Sequence, residues 1–139
     1  MTYVLDTDMF TLAYYNSHGV RERIATAEGV VAISVVTRIE VLRGRIDSVY
    51  KAADGEKLAR ALERLFDSEA YLDTFSRLDF SPTAVTHFDR MRLDKQARKL
   101  SRGDLLAACT ALGHDAVLVT RNAKDFATIA GLKLANWVE

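Results

Sequence analysis

At 139 residues, 49% hydrophobic and 27% charged, the chain is of single-domain length and too apolar for a disordered polypeptide. Lys and Arg number 19 and Asp and Glu number 19; zero net charge argues against a protein that coats nucleic acid by charge alone, but leaves room for an enzyme whose bound cations offset a local acidic cluster. No apolar run approaches the ~20 residues of a membrane span, MTYVLDTD carries no signal-peptide pattern, and the single Cys109, set in an apolar stretch, reads as an inert buried thiol suited to a reducing cytoplasm.

In chain order, residues 3–6 predict a short apolar strand ending at an acid, followed by a helix over 7–15 that Thr7 or Asp8 can cap. A short helix is expected at 20–27. Residues 30–34, continuously apolar and β-branched, predict a strand buried on both faces. A helix follows over 35–46, with Ser34 and Thr37 as caps. Asp54 opens another helix to 67, with Leu58, Leu62, Leu65 and Phe66 at helical spacing and Phe66 assigned to the core. Residues 74–79 predict a strand. Ser81-Pro82-Thr83 is a helix start, and that helix is expected to run to 97. Gly103-Asp104 opens a helix ending near Gly113, and 116–120 form a strand. A short helix at 123–128 and a strand at 132–135 complete the chain.

Strands near 3, 30, 74, 116 and 132, alternating with helices, predict an α/β fold: one domain over 1–139 with a parallel sheet of about five strands flanked by helices. Ligands in such sheets bind beyond the carboxyl ends of the strands. Four acids are delivered towards that edge: Asp6 in VLDTD, Glu40 in SVVTRIE, Asp104 in SRGDLLAA and Asp125 in TRNAKDF. Clustered carboxylates raise one another's pKa and invite a cation, and all-oxygen donors suit Mg²⁺ or Mn²⁺. Each acid also has a structural reading. Asp6 and Asp8 can be turn or cap residues, Glu40 can pair with Arg43, Asp104 can complement a helix dipole, and Asp125 can cap a short helix. Arg90, Arg92, Lys95, Arg98, Lys99 and Arg102 crowd one segment beside Asp104. They form either a solvated helix face or a ridge that tracks phosphates.

The segments VLDTD, SVVTRIEVLRG, RGDLLAACTAL and LVTRNAKDF, in that order, resemble the PIN-domain nucleases, and within them the VapC toxins of bacterial toxin–antitoxin pairs; the closing LANWVE is similar to that group's tail. The resemblance covers essentially the whole chain. It implies that Asp6, Glu40 and Asp104 are metal-site acids, with Asp125 as the fourth, because Asn122 stands where many relatives have an acid. Asp8, where many relatives have Asn, is implied near the metal shell. Thr7, Ser34, Thr37 and Asn122 are candidates to support the ligands. Arg98, Lys99, Arg102 and Arg121 are candidates for phosphate contacts.

The implied activity is Mg²⁺- or Mn²⁺-dependent hydrolysis of RNA phosphodiesters. A VapB-like antitoxin would silence it, often through a basic side chain inserted in the acidic pocket. A homodimer is expected, with Tyr14, Tyr15, Phe66 and Tyr71 as candidate interface aromatics and residues 44–70 as a helical clip near the site. Two other classes stay open: a phosphatase of the haloacid dehalogenase type, which the Asp-x-Asp of LDTDM resembles, and a non-catalytic binding module.

Overall fold

Alternation along the two central strands splits the core in two. In the computed structural model, which describes residues 1–138, β1 (Thr2–Leu5) and β4 (Val117–Val119) pair in parallel with Val4 opposite Leu118 and Leu5 opposite Val119. Successive side chains of a strand point to opposite faces. Val4 and Leu118 therefore enter one core, and Leu5 and Val119 the other.

The second core is covered by α1 (Thr7–Tyr14), α2 (His18–Thr26), α3 (Val35–Lys51) and α4 (Gly55–Leu72), which contribute Phe10, Val20, Val41 and Leu72. The first is covered by α5 (Pro82–Met91), α6 (Arg102–Gly113) and α7 (Ala123–Phe126), which contribute Ala84, Ala108 and Phe126. With β2 (Val30–Ser34), β3 (Ser76–Leu78) and β5 (Lys133–Ala135), the sheet runs β3-β2-β1-β4-β5, and every pairing is parallel. This is the five-stranded parallel α/β sheet expected from the alternation. Trp137 of the tail is buried, its ring 5.2 Å from that of Tyr3; Glu139 lies outside the described residues. Among the described residues, no helix is long and apolar enough to cross a membrane.

Several expectations are corrected. The first helix is capped by Asp6, whose carboxylate accepts from the Met9 N–H at 2.8 Å, and not by Thr7 or Asp8. Strand β2 is buried only from Ala32 onward, since Val30 projects into solvent at its amino end. The helix predicted to reach 97 stops at Met91. Asp94 then offers its carboxylate to the Gln96 N–H at 2.8 Å, a local bond that competes with helical pairing, and a 3₁₀ turn follows at Ala97–Lys99. The basic residues of 90–102 therefore do not form one helical ridge.

Helices α3 and α4 extend past 46 and 67, and pack side by side through the connection 52–54. Arg45 pins the pair by donating to the buried Ser68 hydroxyl at 2.8 Å. Phe66 is 64% exposed and not a core residue. The α4 stripe turns its outer edge to solvent, and Ile46 and the 86%-exposed Tyr50 on α3 do the same.

Candidate active site

Strands β1 and β4 are neighbours, yet the chain leaves β1 towards β2 on one side and leaves β4 towards β5 on the other. The two exits diverge and open a crevice at the carboxyl ends, which is where doubly wound sheets bind ligands. Asp6 and Thr120 sit at its base. The Asp6 N–H donates to the Val119 carbonyl at 3.1 Å, locking one exit to the other. The crevice is a cavity of about 310 Å³ whose walls include Asp6, Asp8, Glu40, Gly103, Asp104 and Asn122.

Asp6 is buried, and burial holds its carboxyl above the usual carboxylate range. Hydrogen bonds from Thr120 and the Met9 N–H pull the other way, and the charges of Asp8 and Asp104 add to the rise. The Thr120 hydroxyl accepts from the Asn122 N–H at 3.0 Å, which leaves its proton for Asp6.

Asp104 enters in the first turn of α6. Ser101 caps that turn, accepting from the Asp104 N–H at 3.1 Å. Partial burial raises the Asp104 pKa, the Ser101 hydroxyl lowers it, and Glu40 and Asp125 raise it further. Glu40 reaches the crevice from the second turn of α3 and lies over Gly103; a Cβ at Gly103 would collide with its carboxylate. Thr7 hydrogen-bonds Glu40 at 2.5 Å, and its hydroxyl lies 3.2 Å from that of Thr37. A carboxylate only accepts, so the single Thr7 proton goes to Glu40 and Thr37 donates to Thr7. Thr37 is thus a link in this chain, whereas Ser34 caps α3 by accepting from the Thr37 N–H at 3.2 Å.

The fourth corner divides. Asn122 lines the acid crevice and its side chain makes no helix cap. Asp125 opens onto an adjoining cavity that also contains Asp104. Asp8 and Arg121 form an ion pair across the mouth, Nε to Oδ2 at 2.6 Å and Nη2 to Oδ1 at 3.4 Å. The Arg102 guanidinium stacks on the Phe88 ring at 5.2 Å, and Arg98 and Lys99 are exposed on the 3₁₀ turn. Cys109 is buried in α6, its thiol pushed up by burial to about 11, as an inert core thiol requires.

Three contributors escape the sequence reading. Thr120 has no motif beyond its place at a strand end. Ser101 carries a signal, the S-x-x-D spacing of a capping box in SRGD. Gly103 gives none, because its contact with Glu40 joins segments far apart in the chain.

The donor set is oxygen throughout, the chemistry a hard divalent ion takes, and the raised Asp6 and Asp104 are groups whose charge such an ion would offset. Among the described residues, no three acidic, His or Cys side chains are gathered closely enough to enclose an ion as they stand. Glu40 is turned to Thr7 and Asp8 to Arg121. The residues fit the ion chemically, and closing on it requires their side chains to draw together.

The chain is similar over its whole length to proteins of known activity. It is 27% identical over 140 residues to the tRNA(fMet)-specific endonuclease VapC of Shigella flexneri, covering 99% of this chain and 98% of that one. It is 29% identical over 146 residues to Ribonuclease VapC2 of Rickettsia felis, covering 99% and 98%. A chain in the crystal structure of DNA-bound VapBC from Salmonella typhimurium superposes with a TM-score of 0.79 at 25% identity, covering 99% of this chain and 98% of that one. The PIN domain profile matches residues 3–132. The chain belongs to the PIN domain family.

Proposed function

We propose that this protein is a divalent-metal-dependent endoribonuclease of the VapC toxin type, hydrolysing RNA phosphodiester bonds. The observation that carries the reading is the convergence of Asp6, Glu40 and Asp104, from three separate segments, on one crevice at the switch point of the sheet. Their order and spacing match the motifs whose resemblance is to VapC toxins, and the full-length similarity to two ribonucleases supports the same conclusion.

Asp6, Glu40 and Asp104 would hold Mg²⁺ or Mn²⁺, with the Asn122 amide beside them and Asp125 adding charge from the adjoining cavity. Bound there, the ion acidifies a water and stabilises charge on the phosphate. The protein's own work is to keep the ligands oriented. Thr120 and the Met9 N–H fix Asp6, Ser101 fixes Asp104, and the Thr37–Thr7 chain holds Glu40. Arg121, paired with Asp8, and Lys99, in the adjoining cavity, would supply phosphate contacts together with Arg102 and Arg98.

A VapB-like antitoxin is the expected partner, because the Salmonella relative of similar fold is part of a VapBC complex. The clip formed by α3 and α4 presents Tyr50 and Phe66 to solvent, apolar surface that a partner or a second copy of the chain would cover.

The test is cleavage of single-stranded RNA and tRNA by the purified protein with Mg²⁺ or Mn²⁺. Cleavage stopped by EDTA and abolished by Asp6→Asn and Asp104→Asn is expected. Full activity in both variants would reject the site. Hydrolysis of a small phosphate ester with no RNA cleavage would favour the phosphatase.

A further inference from the structure

The acid crevice is one end of a longer depression. It shares Asp104 with the adjoining cavity of about 350 Å³, which is walled by Lys99, Ser101, Lys124 and Asp125. That cavity shares Gln96 and Thr128 with a third, of about 530 Å³, lined by Met91, Leu93 and Ile129, with Arg90 and Asp94 also on its wall. Together they make a trough between the segments 91–101 and 124–130. Its walls are anchored: Ala97 and Phe126 are buried beneath them, and the Ile129 N–H bonds the Phe126 carbonyl at 3.1 Å.

The lining changes character along its length. Next to the acids stand Lys99 and Lys124, neither of which has an ion-pair partner among the described residues. At the neck are Gln96 and Thr128, which offer an amide and a hydroxyl. At the far end Leu93 is 70% exposed, although most leucines of the chain are buried or half-buried, and it faces the same cavity as Ile129. A cationic step followed by a mainly apolar bay of this size, with Arg90 and Asp94 on its wall, matches one extended nucleotide unit: a backbone phosphate, polar edges, then a base out of its stack.

We propose that single-stranded RNA runs along this trough. Lys99 and Lys124 hold the phosphate next to the scissile one, and the Leu93–Ile129 bay receives an unstacked base. The inference rests on the ribonuclease reading and deepens it by naming where one flank of the substrate lies. A protein segment could also use an apolar bay, but continuity with the acids and the two unpaired lysines beside them favour a polyanion.

The experiment measures binding of a fluorescently labelled 12-nucleotide single-stranded RNA by anisotropy in EDTA, over a range of salt, with cleavage in Mn²⁺ assayed in parallel. The Lys99→Ala/Lys124→Ala double variant is expected to bind about tenfold more weakly. Its log–log salt slope should fall by about 0.7, the value for one phosphate charge left unneutralised. Leu93→Ala, at an exposed position that the fold does not need, should weaken binding about fivefold with the slope unchanged. Lys57→Ala, on the exposed side of α4, should match the wild type.

Unchanged affinity and slope in the double variant would overturn the proposal, as would an equal loss in Lys57→Ala. A Leu93→Asp variant that alters self-association but not RNA affinity would assign the bay to protein contact and also overturn it. These failures leave the ribonuclease reading intact if the wild type binds and cleaves RNA; a wild type that does neither would remove that reading itself.

Discussion

Gly103 lies directly beneath the carboxylate of Glu40, so the resting place of that carboxylate depends on the missing Cβ. Gly103→Ala places a methyl where Glu40 now rests. The obstacle is the end of a flexible side chain, so Glu40 moves and the backbone stays. Alanine is also the better helix residue by roughly 0.5–1 kcal/mol. The expected outcome is a Tm equal to or a few degrees above wild type with cleavage reduced at least tenfold, read by calorimetry and an RNA cleavage assay. Wild-type activity in a folded Gly103→Ala protein would show that the position of Glu40 is unimportant.

The two raised carboxyls set a trade between activity and stability. A carboxyl whose folded pKa exceeds its unfolded value of 3.8 binds more protons in the folded state. Its contribution favours the fold below 3.8 and is lost as pH rises through the raised folded value, so ionised Asp6 opposes folding at neutral pH. Asn keeps the oxygen that accepts from Met9 but carries no charge. Asp6→Asn should therefore be more stable than wild type at pH 7 in EDTA. The gap should close as pH falls towards 4. Mn²⁺ should raise the wild-type Tm and leave that of Asp6→Asn nearly unmoved. Denaturation curves across pH, with and without Mn²⁺, check all three; a less stable Asp6→Asn at pH 7 contradicts the sign.

Asp8 and Arg121 restrain one another at the mouth of the crevice. Both are about half exposed, so the pair contributes at most about 1 kcal/mol to stability. Its expected role is to hold the guanidinium back from the substrate. Asp8→Asn should bind single-stranded RNA as tightly as wild type or more tightly, and Arg121→Ala about tenfold more weakly, with either Tm little changed. Equal weakening in both variants would mean that the pair works only as a unit.

Thr120 is buried, accepts from the Asn122 N–H and donates to Asp6. Thr120→Val keeps the shape and removes both bonds, at a cost of about 1–3 kcal/mol. It should also raise the Asp6 pKa further, moving the acid limb of the pH–rate profile upward. Thr120→Ser should restore both properties. A valine variant with an unshifted profile would reduce Thr120 to a packing residue.

The two candidates for the fourth corner separate by position. Asn122 stands in the crevice, whereas Asp125 reaches Asp104 only through its charge. Asn122→Ala should therefore lower cleavage more than Asp125→Asn does, by at least threefold at saturating Mn²⁺. The reverse order in single-turnover rates would return the fourth ligand role to Asp125.

Residue pattern specifies the layering of this protein and, with the family resemblance, picks out three of the acids that line its crevice. Short apolar runs alternating with helical periods leave a parallel sheet little alternative, because each run must be covered on both faces. Asp6, Glu40 and Asp104 are legible because each closes or follows such a run within a recognisable motif. Phe66 is misplaced by its spacing, since helical periodicity reports that a stripe is apolar, not whether anything within the same chain covers it. The stop at Met91 escapes the pattern because the competing bond of Asp94 is local and leaves a weak signal. How the acids are held is settled by contacts between distant segments. Glu40 over Gly103, Thr7 between Thr37 and Glu40, Arg121 on Asp8 and Thr120 under Asp6 join residues from about 30 to more than 110 positions apart. Such contacts follow from the crossover of the chain at the β1–β4 switch point, which no local period encodes.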